Sequence, residues 1–584
     1  MKELRHLNTY FLKYKYRLLL GVIITIFSKV LAVKVPQFIR QSLNSVDAYR
    51  MGEITDIQVV KDDLLQNIIW IIALAIAAGG FTFLMRQTII VMSRLIEFDL
   101  KNEIYQQYQR LSISFYKINR TGDLMNRITE DVNKVRMYLG PAIMYTMNML
   151  VLFVVTITKM SQIDKTLTFY TVLPLPILSV AIFVLSRIIN NRSRIVQEYL
   201  SKLTTFTQEM FSGIGVLKAY ALEGIIESEF LKLADENKQK NIALYQTQAL
   251  FFPLMILLIG ISNILVIYIG GMRYINGIIP LGVIAEFILY VNMLTWPVAV
   301  LGWVTAMVQQ AEASQKRINA FLQEKPAILN YTDTYHELKG AIKFKNVSLR
   351  YDDTQITALN GLTMTINAGE TVAIVGNTGS GKSTIAALLT RLYDIDEGEI
   401  DIDGFPIQEI NLNNLRASIG VVPQDIFLFS DTIANNLRIG NESATDEELI
   451  EACKNVAFHE SILKFKEGYE TILGERGVTL SGGQKQRLAI ARALLKKPKI
   501  LILDDSLSAV DTQTESLILE KLKQAKLTNT TIIISHRIST VQHANQILVL
   551  ENGAISSKGT HKELIKKEGY YQELYEKQLL EKEN

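Results

Sequence analysis

The sequence predicts two fold classes in one chain: an α-helical membrane domain of six transmembrane helices, followed by an α/β domain. Three observations predict this. Six apolar stretches, near 17–39, 66–90, 141–160, 166–190, 246–271 and 278–306, each reach the roughly 20 residues that cross a bilayer. After about residue 340 the pattern changes to short β-branched runs, glycine turns and helical segments, the signature of an α/β layer. A glycine-rich loop stands between an apolar run and an apolar helix in "TVAIVGNTGSGKSTIAALL", residues 371–389.

The bulk properties agree. A chain of 584 residues is too long for one core, so two or more domains are expected. Hydrophobic residues make up 49% and charged residues 20%, and the mean hydropathy is +0.18. The formal net charge of +3 is too near balance to argue for nucleic acid. Cys453 is the single cysteine, so an internal disulfide is excluded. The first residues, "MKELRHLNTYFLKYKYR", mix basic and aromatic side chains with no cleavage site. They read as a juxtamembrane segment and not as a signal peptide.

Lysine and arginine orient the spans. Lys13, Lys15 and Arg17 precede the first. Arg94, Lys101, Arg110, Lys117, Arg120, Arg127, Lys134 and Arg136 lie between the second and third. The connections "KMSQIDK" after span three and "GMRYING" after span five are short. Both termini and the two long loops are therefore expected in the cytoplasm, the long loops continuing the spans as helices beyond the lipid. Lys29 and Arg86 fall within or near apolar spans, which makes each a candidate for a functional role, although long basic side chains near span ends also snorkel. The membrane domain is expected over 1–322, a polar linker over 323–340 with Pro326 and Gly340, and the α/β domain over 341–584.

The chemistry sits in the second half. A strand at 371–375 runs into Gly376, Asn377, Thr378, Gly379, Ser380, Gly381, Lys382 and Ser383, a G-x-x-x-x-G-K-S pattern followed by a helix. Glycines let backbone N–H groups turn inward around phosphate oxygens, and the helix N-terminus adds partial positive charge. Lys382 is placed to reach the β- and γ-phosphates and Ser383 to ligate Mg²⁺. The pattern predicts a P-loop nucleotide-binding domain. In "ILILDDSLSAVD" (500–511) a strand delivers Asp504 to its end, where a P-loop fold brings a second carboxylate to the metal. In "TLSGGQKQRLAIARALLKKPK" (479–499) Ser481, Gly482, Gly483 and Gln484 open a helix whose N–H groups and hydroxyl make an anion site without lysine. Alone each of these is weak; in this order and spacing they reinforce one another.

With these motifs the chain resembles a half-transporter of the ABC exporter family, membrane domain and ATPase domain in one polypeptide, along essentially its whole length. The resemblance implies further roles. Tyr351, in "SLRYDD", matches the aromatic that stacks on adenine. Gly376 to Thr384 match the phosphate loop. Gln424, in "VVPQDIFLF", matches the glutamine that contacts Mg²⁺ and reports to the membrane domain. Ser481 to Gln484 match the signature that meets the partner subunit's nucleotide. Ser508 and Asp511 match the loop crossing the dimer seam, and His536, in "TIIISHR", the switch histidine at the γ-phosphate. In the membrane half, "RTGDLMNRITEDVNKVR" (120–136) and "GIGVLKAYALE" (213–223) resemble the two intracellular loops that dock on ATPase domains.

One position departs from the family. Most active members carry Glu directly after the Mg²⁺-binding Asp, where it polarises the attacking water; this chain has Asp505. The carboxylate is withdrawn by roughly 1 Å, and a displacement of about 1 Å can cost ~10²-fold in rate. The resemblance therefore implies ATP-driven export of an amphipathic drug, lipid or peptide across the cytoplasmic (inner) membrane, with slow hydrolysis at this chain's own site. The implied partner is a second half-transporter, in a heterodimer before a homodimer, and membrane lipid surrounds the spans. An ATP-gated channel and an ATP-binding regulatory subunit share every motif and are the alternatives.

Overall fold

The computed structural model describes residues 3–474, 477–524 and 530–583. The chain divides into two compact units. One comprises residues 1–109 and 122–324, the other residues 110–121 and 325–584.

The first unit is helical. Among the described residues, six helices long and apolar enough to cross a membrane run over Lys15–Arg50, Ile57–Arg110, Thr121–Ile163, Lys165–Ser212, Glu223–Ile275 and Leu281–Leu322. They are much longer than a bilayer requires: the 54 residues of Ile57–Arg110 rise about 81 Å at ~1.5 Å per residue. Large apolar side chains such as Ile23, Phe27, Ile68, Trp70, Ile76 and Phe83 face outward, as a lipid environment allows. Pro36 and Pro297 sit inside helices, and Pro141 lies in a π-helical stretch, Tyr138–Ala142. Such irregularities are tolerated where neighbouring helices re-satisfy the freed backbone groups. Several buried charges inside the unit are paired. Arg40 meets the fully buried Glu286 at 3.0 Å, and the Tyr290 hydroxyl donates to the same carboxylate at 2.7 Å. Asp131 accepts from Ser314 Oγ at 2.9 Å and Arg317 Nε at 2.9 Å. Lys29 is half-buried and Arg86 exposed.

The second unit is α/β. Its strands are β1 (Ile342–Arg350), β2 (Thr357–Ile366), β3 (Thr371–Gly376), β4 (Glu397–Ile402), β5 (Phe405–Pro406), β6 (Ile419–Val422), β7 (Ile500–Asp504), β8 (Thr530–Ile534), β9 (Gln546–Glu551) and β10 (Ala554–Gly559). An antiparallel sheet has the order β2-β1-β4-β5. The other has the order β10-β9-β3-β8-β7-β6, parallel from β9 to β6 with β10 antiparallel at its edge. The strands β3 and β7 read as continuous apolar runs because helices and loops cover both faces; every residue of β7 is buried. One core joins both sheets through Phe344, Leu359, Ile374, Leu388, Ile502 and Ile532. A second gathers helix Gly482–Leu495 with residues 428–473, including Cys453.

Candidate functional site

The parallel strands β3, β7 and β8 stop at one level of the sheet, and their ends define a cavity of about 540 Å³. In an open parallel sheet the carboxyl ends of the strands are where ligands bind. The cavity is lined by Tyr351, the phosphate loop from Gly376 to Thr384 except Ser380, Gln424, Asp504, Asp505 and His536, among others. Residues separated by nearly 200 positions in the sequence are thus brought to one place. Ser380 is buried beneath the loop.

The loop turns where the sequence has glycine. Gly381 has φ of 97°, and a Cβ there would lie 2.2 Å from the Ala358 carbonyl oxygen. Gly376 is packed as closely: its Cβ would lie 2.1 Å from the Leu550 carbonyl oxygen. The helix Lys382–Leu389 follows directly. Lys382 Nζ folds back over the loop, donating to the carbonyls of Gly376 (2.8 Å) and Asn377 (2.7 Å). Burial draws its pKa below the usual lysine range, against the opposing pull of Asp504 and Asp505. Tyr351 and Thr384 share a hydrogen bond between their hydroxyls at 3.0 Å, and Tyr393 meets the Tyr351 ring edge-on at a centroid distance of 5.1 Å.

Asp504 is the last residue of β7 and is buried. Burial raises its pKa, while a hydrogen bond from Ser383 and the nearby Lys382 partly restrain the rise. The chain then leaves the strand abruptly. Asp505 has φ of 47°, in the left-handed region that Asp and Asn enter more readily than other side chains. Two adjacent acids on a continuing strand would point to opposite faces; this turn lets both line one cavity. The Asp505 carboxylate lies 2.9 Å from His536 Nδ1. The His536 carbonyl in turn accepts from Gln578 Nε2 at 2.7 Å. Among the described residues, Asp353, Asp504 and Asp505 are the carboxylates lining the cavity, with no glutamate.

The signature residues lie elsewhere in the unit and not in this cavity. Ser481 caps helix Gly482–Leu495 in a reciprocal pair with Gln484: Gln484 N donates to Ser481 Oγ, and Ser481 N to Gln484 Oε1 at 2.9 Å. Asp511 also caps, accepting from Thr514 N at 2.9 Å, and that backbone donor holds its carboxyl below the ordinary range. Ser508 Oγ donates to the Asp505 carbonyl at 2.9 Å. Sequence reasoning passed over Gln486. Its buried amide accepts from Ala509 N at 2.8 Å and donates to Ser508 Oγ at 3.1 Å, tying the signature helix to the segment after Asp505. It also passed over Arg537, whose guanidinium donates to the Val510 carbonyl (3.0 Å) and to the buried Glu515 (3.2 Å). The only signal available was proximity to a motif residue, two positions after Gln484 and one after His536. Of the stretch 120–136, residues 120 and 121 fall in the second unit together with 110–119, and the remainder in the first, as do 213–223.

The comparisons with known proteins agree with this geometry. Residues 18–298 match the ABC transporter transmembrane region family and residues 359–508 the ABC transporter family. The probable multidrug resistance ABC transporter ATP-binding/permease protein YheI of Bacillus subtilis (strain 168) is 35% identical over 99% of this chain and 98% of its own length. The chain belongs to the ABC exporter family. A second relative of this half-transporter, the uncharacterized ABC transporter ATP-binding protein YknU of the same organism, is 39% identical over 82% of each chain. Among solved structures, that of a bacterial Atm1-family ABC exporter with ATP bound superposes with a TM-score of 0.78 at 27% identity. The match covers 97% of this chain and 98% of the other. The half-transporter is accordingly a multi-pass membrane protein and an ATP-binding ATPase that couples hydrolysis to export, of a kind that typically dimerises.

Proposed function

We propose that this chain is the slow-site half of an asymmetric exporter in the cytoplasmic membrane, paired with a second half-transporter whose own acid is Glu. Its termini and ATPase domain face the cytoplasm. Functional domains are drawn at 1–322 and 341–584, joined by the linker 323–340. The cargo is an amphipathic drug, lipid or peptide; the multidrug designation of YheI and the apolar faces of the six helices favour the first.

The observation that carries the reading is Asp505. It occupies the base position with a side chain one methylene short, fastened to His536, and among the described residues no glutamate lines the cavity to take its place. Lys382 grips the phosphates, Tyr351 receives the base, and the loop from Gly376 to Thr384 surrounds the chain of phosphates between them. Ser383, Gln424 and Asp504 present hydroxyl, amide and carboxylate oxygens. That hard donor set suits Mg²⁺, and the buried Asp504, its charge disfavoured by desolvation, fits a nearby dication. Ser383, Gln424 and Asp504 would hold Mg²⁺, which would offset the charge that develops on the phosphates. Ser481, Gly482, Gly483 and Gln484 complete the partner's site, and the partner's signature completes this one. His536 donates toward the γ-phosphate, and its contact with Asp505 sets which ring nitrogen is free to do so.

That same contact favours a second reading, a symmetric homodimer that turns over slowly, because Asp505 and His536 remain engaged. The two separate on one variant. The chain is purified alone and with any half-transporter encoded beside it, and Asp505→Asn is assayed for ATPase activity. Little change in the pair supports the asymmetric reading. Near-silence of the chain assembled with itself, where the wild type turns over in that form, supports the symmetric one.

A further inference from the structure

Lys117 belongs to no motif. It lies near the end of the short helix Ile113–Ile118, inside the segment 110–121 that is part of the second unit. That segment is held there by the hydrogen bond from Ile328 N to Ser112 Oγ at 3.0 Å. The Lys117 ammonium sits 4.6 Å from the centroid of the Tyr351 ring and 5.0 Å from that of Tyr393, and it lines the same cavity as the phosphate loop. A cation over an aromatic face at these distances is attracted by the ring quadrupole. Tyr351 is also the ring on which a base would stack.

We propose that Lys117 is a nucleotide-contacting residue that clasps the purine base against Tyr351. The inference rests on the reading of the cavity as the ATP site. An adenine edge offers ring nitrogens that only accept hydrogen bonds, and an ammonium offers three donors and no acceptor. A base laid on Tyr351 therefore comes within reach of a matched donor on a flexible stem. The adenine face adds a second π surface to the cation. The phosphates already have Lys382 and the loop N–H groups, so the contribution of Lys117 belongs to the base. Because Lys117 is carried by the segment directly after helix Ile57–Arg110, base occupancy and the position of that segment are linked. Linkage is reciprocal: whatever displaces the segment changes ATP affinity by the same factor.

The test is calorimetric titration of the full-length chain in detergent with ATP and with ribose triphosphate, which lacks the base. Lys117→Met keeps the stem and removes the charge; Lys117→Arg keeps the charge. The methionine variant is expected to bind ATP about three- to tenfold more weakly, on the scale of a cation–π or charged hydrogen-bond contact. It should bind ribose triphosphate as the wild type does, and the arginine variant should recover most of the loss. Unchanged ATP affinity in Lys117→Met overturns the proposal. So does an equal loss for both ligands, which would make Lys117 a general electrostatic aid to the phosphates. Lys382→Ala is titrated alongside. If it too binds ATP normally, the site reading fails and the inference falls with it; if it loses binding while Lys117→Met does not, only the inference fails.

Discussion

In the ATPase unit the isoleucines and leucines of β3, β7 and β8 lie inside, and the charged side chains Lys382, Asp504, Asp505 and Lys117 gather at one cavity. In the six-helix unit Ile23, Phe27, Ile68 and Trp70 lie outside, while Glu286 is buried against Arg40. Each arrangement follows from its solvent. Water rewards exposed charge, so a charged group kept at a cavity is available to a ligand. Lipid does not, so a charged group there persists by pairing, and the pair locks helices together. The difference teaches that a charge deletion should be felt as lost activity in one unit and as lost stability in the other.

The largest expected effect breaks the pairing. Arg40→Ala leaves Glu286, which has no exposure in the structure, without its cation. Removing one partner of a buried pair costs about 3–5 kcal/mol. The variant should lose most of its folded, monodisperse population on mild heating. Arg40→Met combined with Glu286→Leu should recover much of it, since replacing both charges removes the desolvation penalty as well as the attraction. A single variant as stable as wild type would mean that the pair holds nothing together.

The counterpart in the other unit is Lys382→Ala. Its amino group bonds to two loop carbonyls and, at 3.5 Å, to Ser380 Oγ, partners that water could serve, and burial already disfavours its charge. Thermal unfolding should therefore move little. ATPase activity at this site should fall by about 10²-fold or more, a barrier change of at least ~2.7 kcal/mol. A large loss of stability with this variant would dissolve the contrast between the units.

Much of this contrast was open to reading from residues. The six spans announce themselves because lipid selects composition over long stretches, and length alone separates them from core helices. The phosphate loop is legible because its glycines, lysine and serine must keep their spacing around one ligand, and Asp504 because an apolar run has to end somewhere. What stayed hidden is what tertiary contact decides. Nothing in "LDDSL" shows that Asp505 turns left-handed or meets His536 across the sheet. No spacing ties Arg40 to Glu286, or Lys117 to Tyr351. The signature was legible as a helix start, yet its distance from the chain's own cavity follows only from the fold.

A smaller effect sharpens the reading of the cavity itself. Asp505→Glu restores the missing methylene at a site that keeps Gln424, Lys382 and His536. Turnover at this site should rise by about tenfold, or ~1.4 kcal/mol. The gain is opposed by the backbone, since φ of 47° suits Asp better than Glu. The gain should therefore come with slightly lower stability. If turnover stays level while Asp505→Asn abolishes it, Asp505 is already a competent base and the symmetric reading is the better one.

The smallest effect concerns Cys453, fully buried in the second core of the ATPase unit. Burial pushes its thiol up to about 12, and thiol reagents attack the thiolate. At neutral pH the native protein should resist maleimide and react only when unfolded. The sign of the pH dependence follows from the same shift. Below the ordinary value of 9.0 both folded and unfolded states keep the proton, and stability does not depend on this group. Between that value and about 12 the unfolded chain releases the proton and the folded chain does not, so stability falls as pH rises, by at most ~1.4 kcal/mol per pH unit. Lysines and tyrosines titrate there too, so the measured quantity is the difference from Cys453→Ala, which should be constant below pH 9.0 and narrow above it. An inert native cysteine also makes the natural chain a background for topology. New single cysteines in "KMSQIDK" should be labelled from outside the cell and those within 120–136 should not. The reverse labelling would turn the membrane unit over and, with it, the side on which ATP is spent.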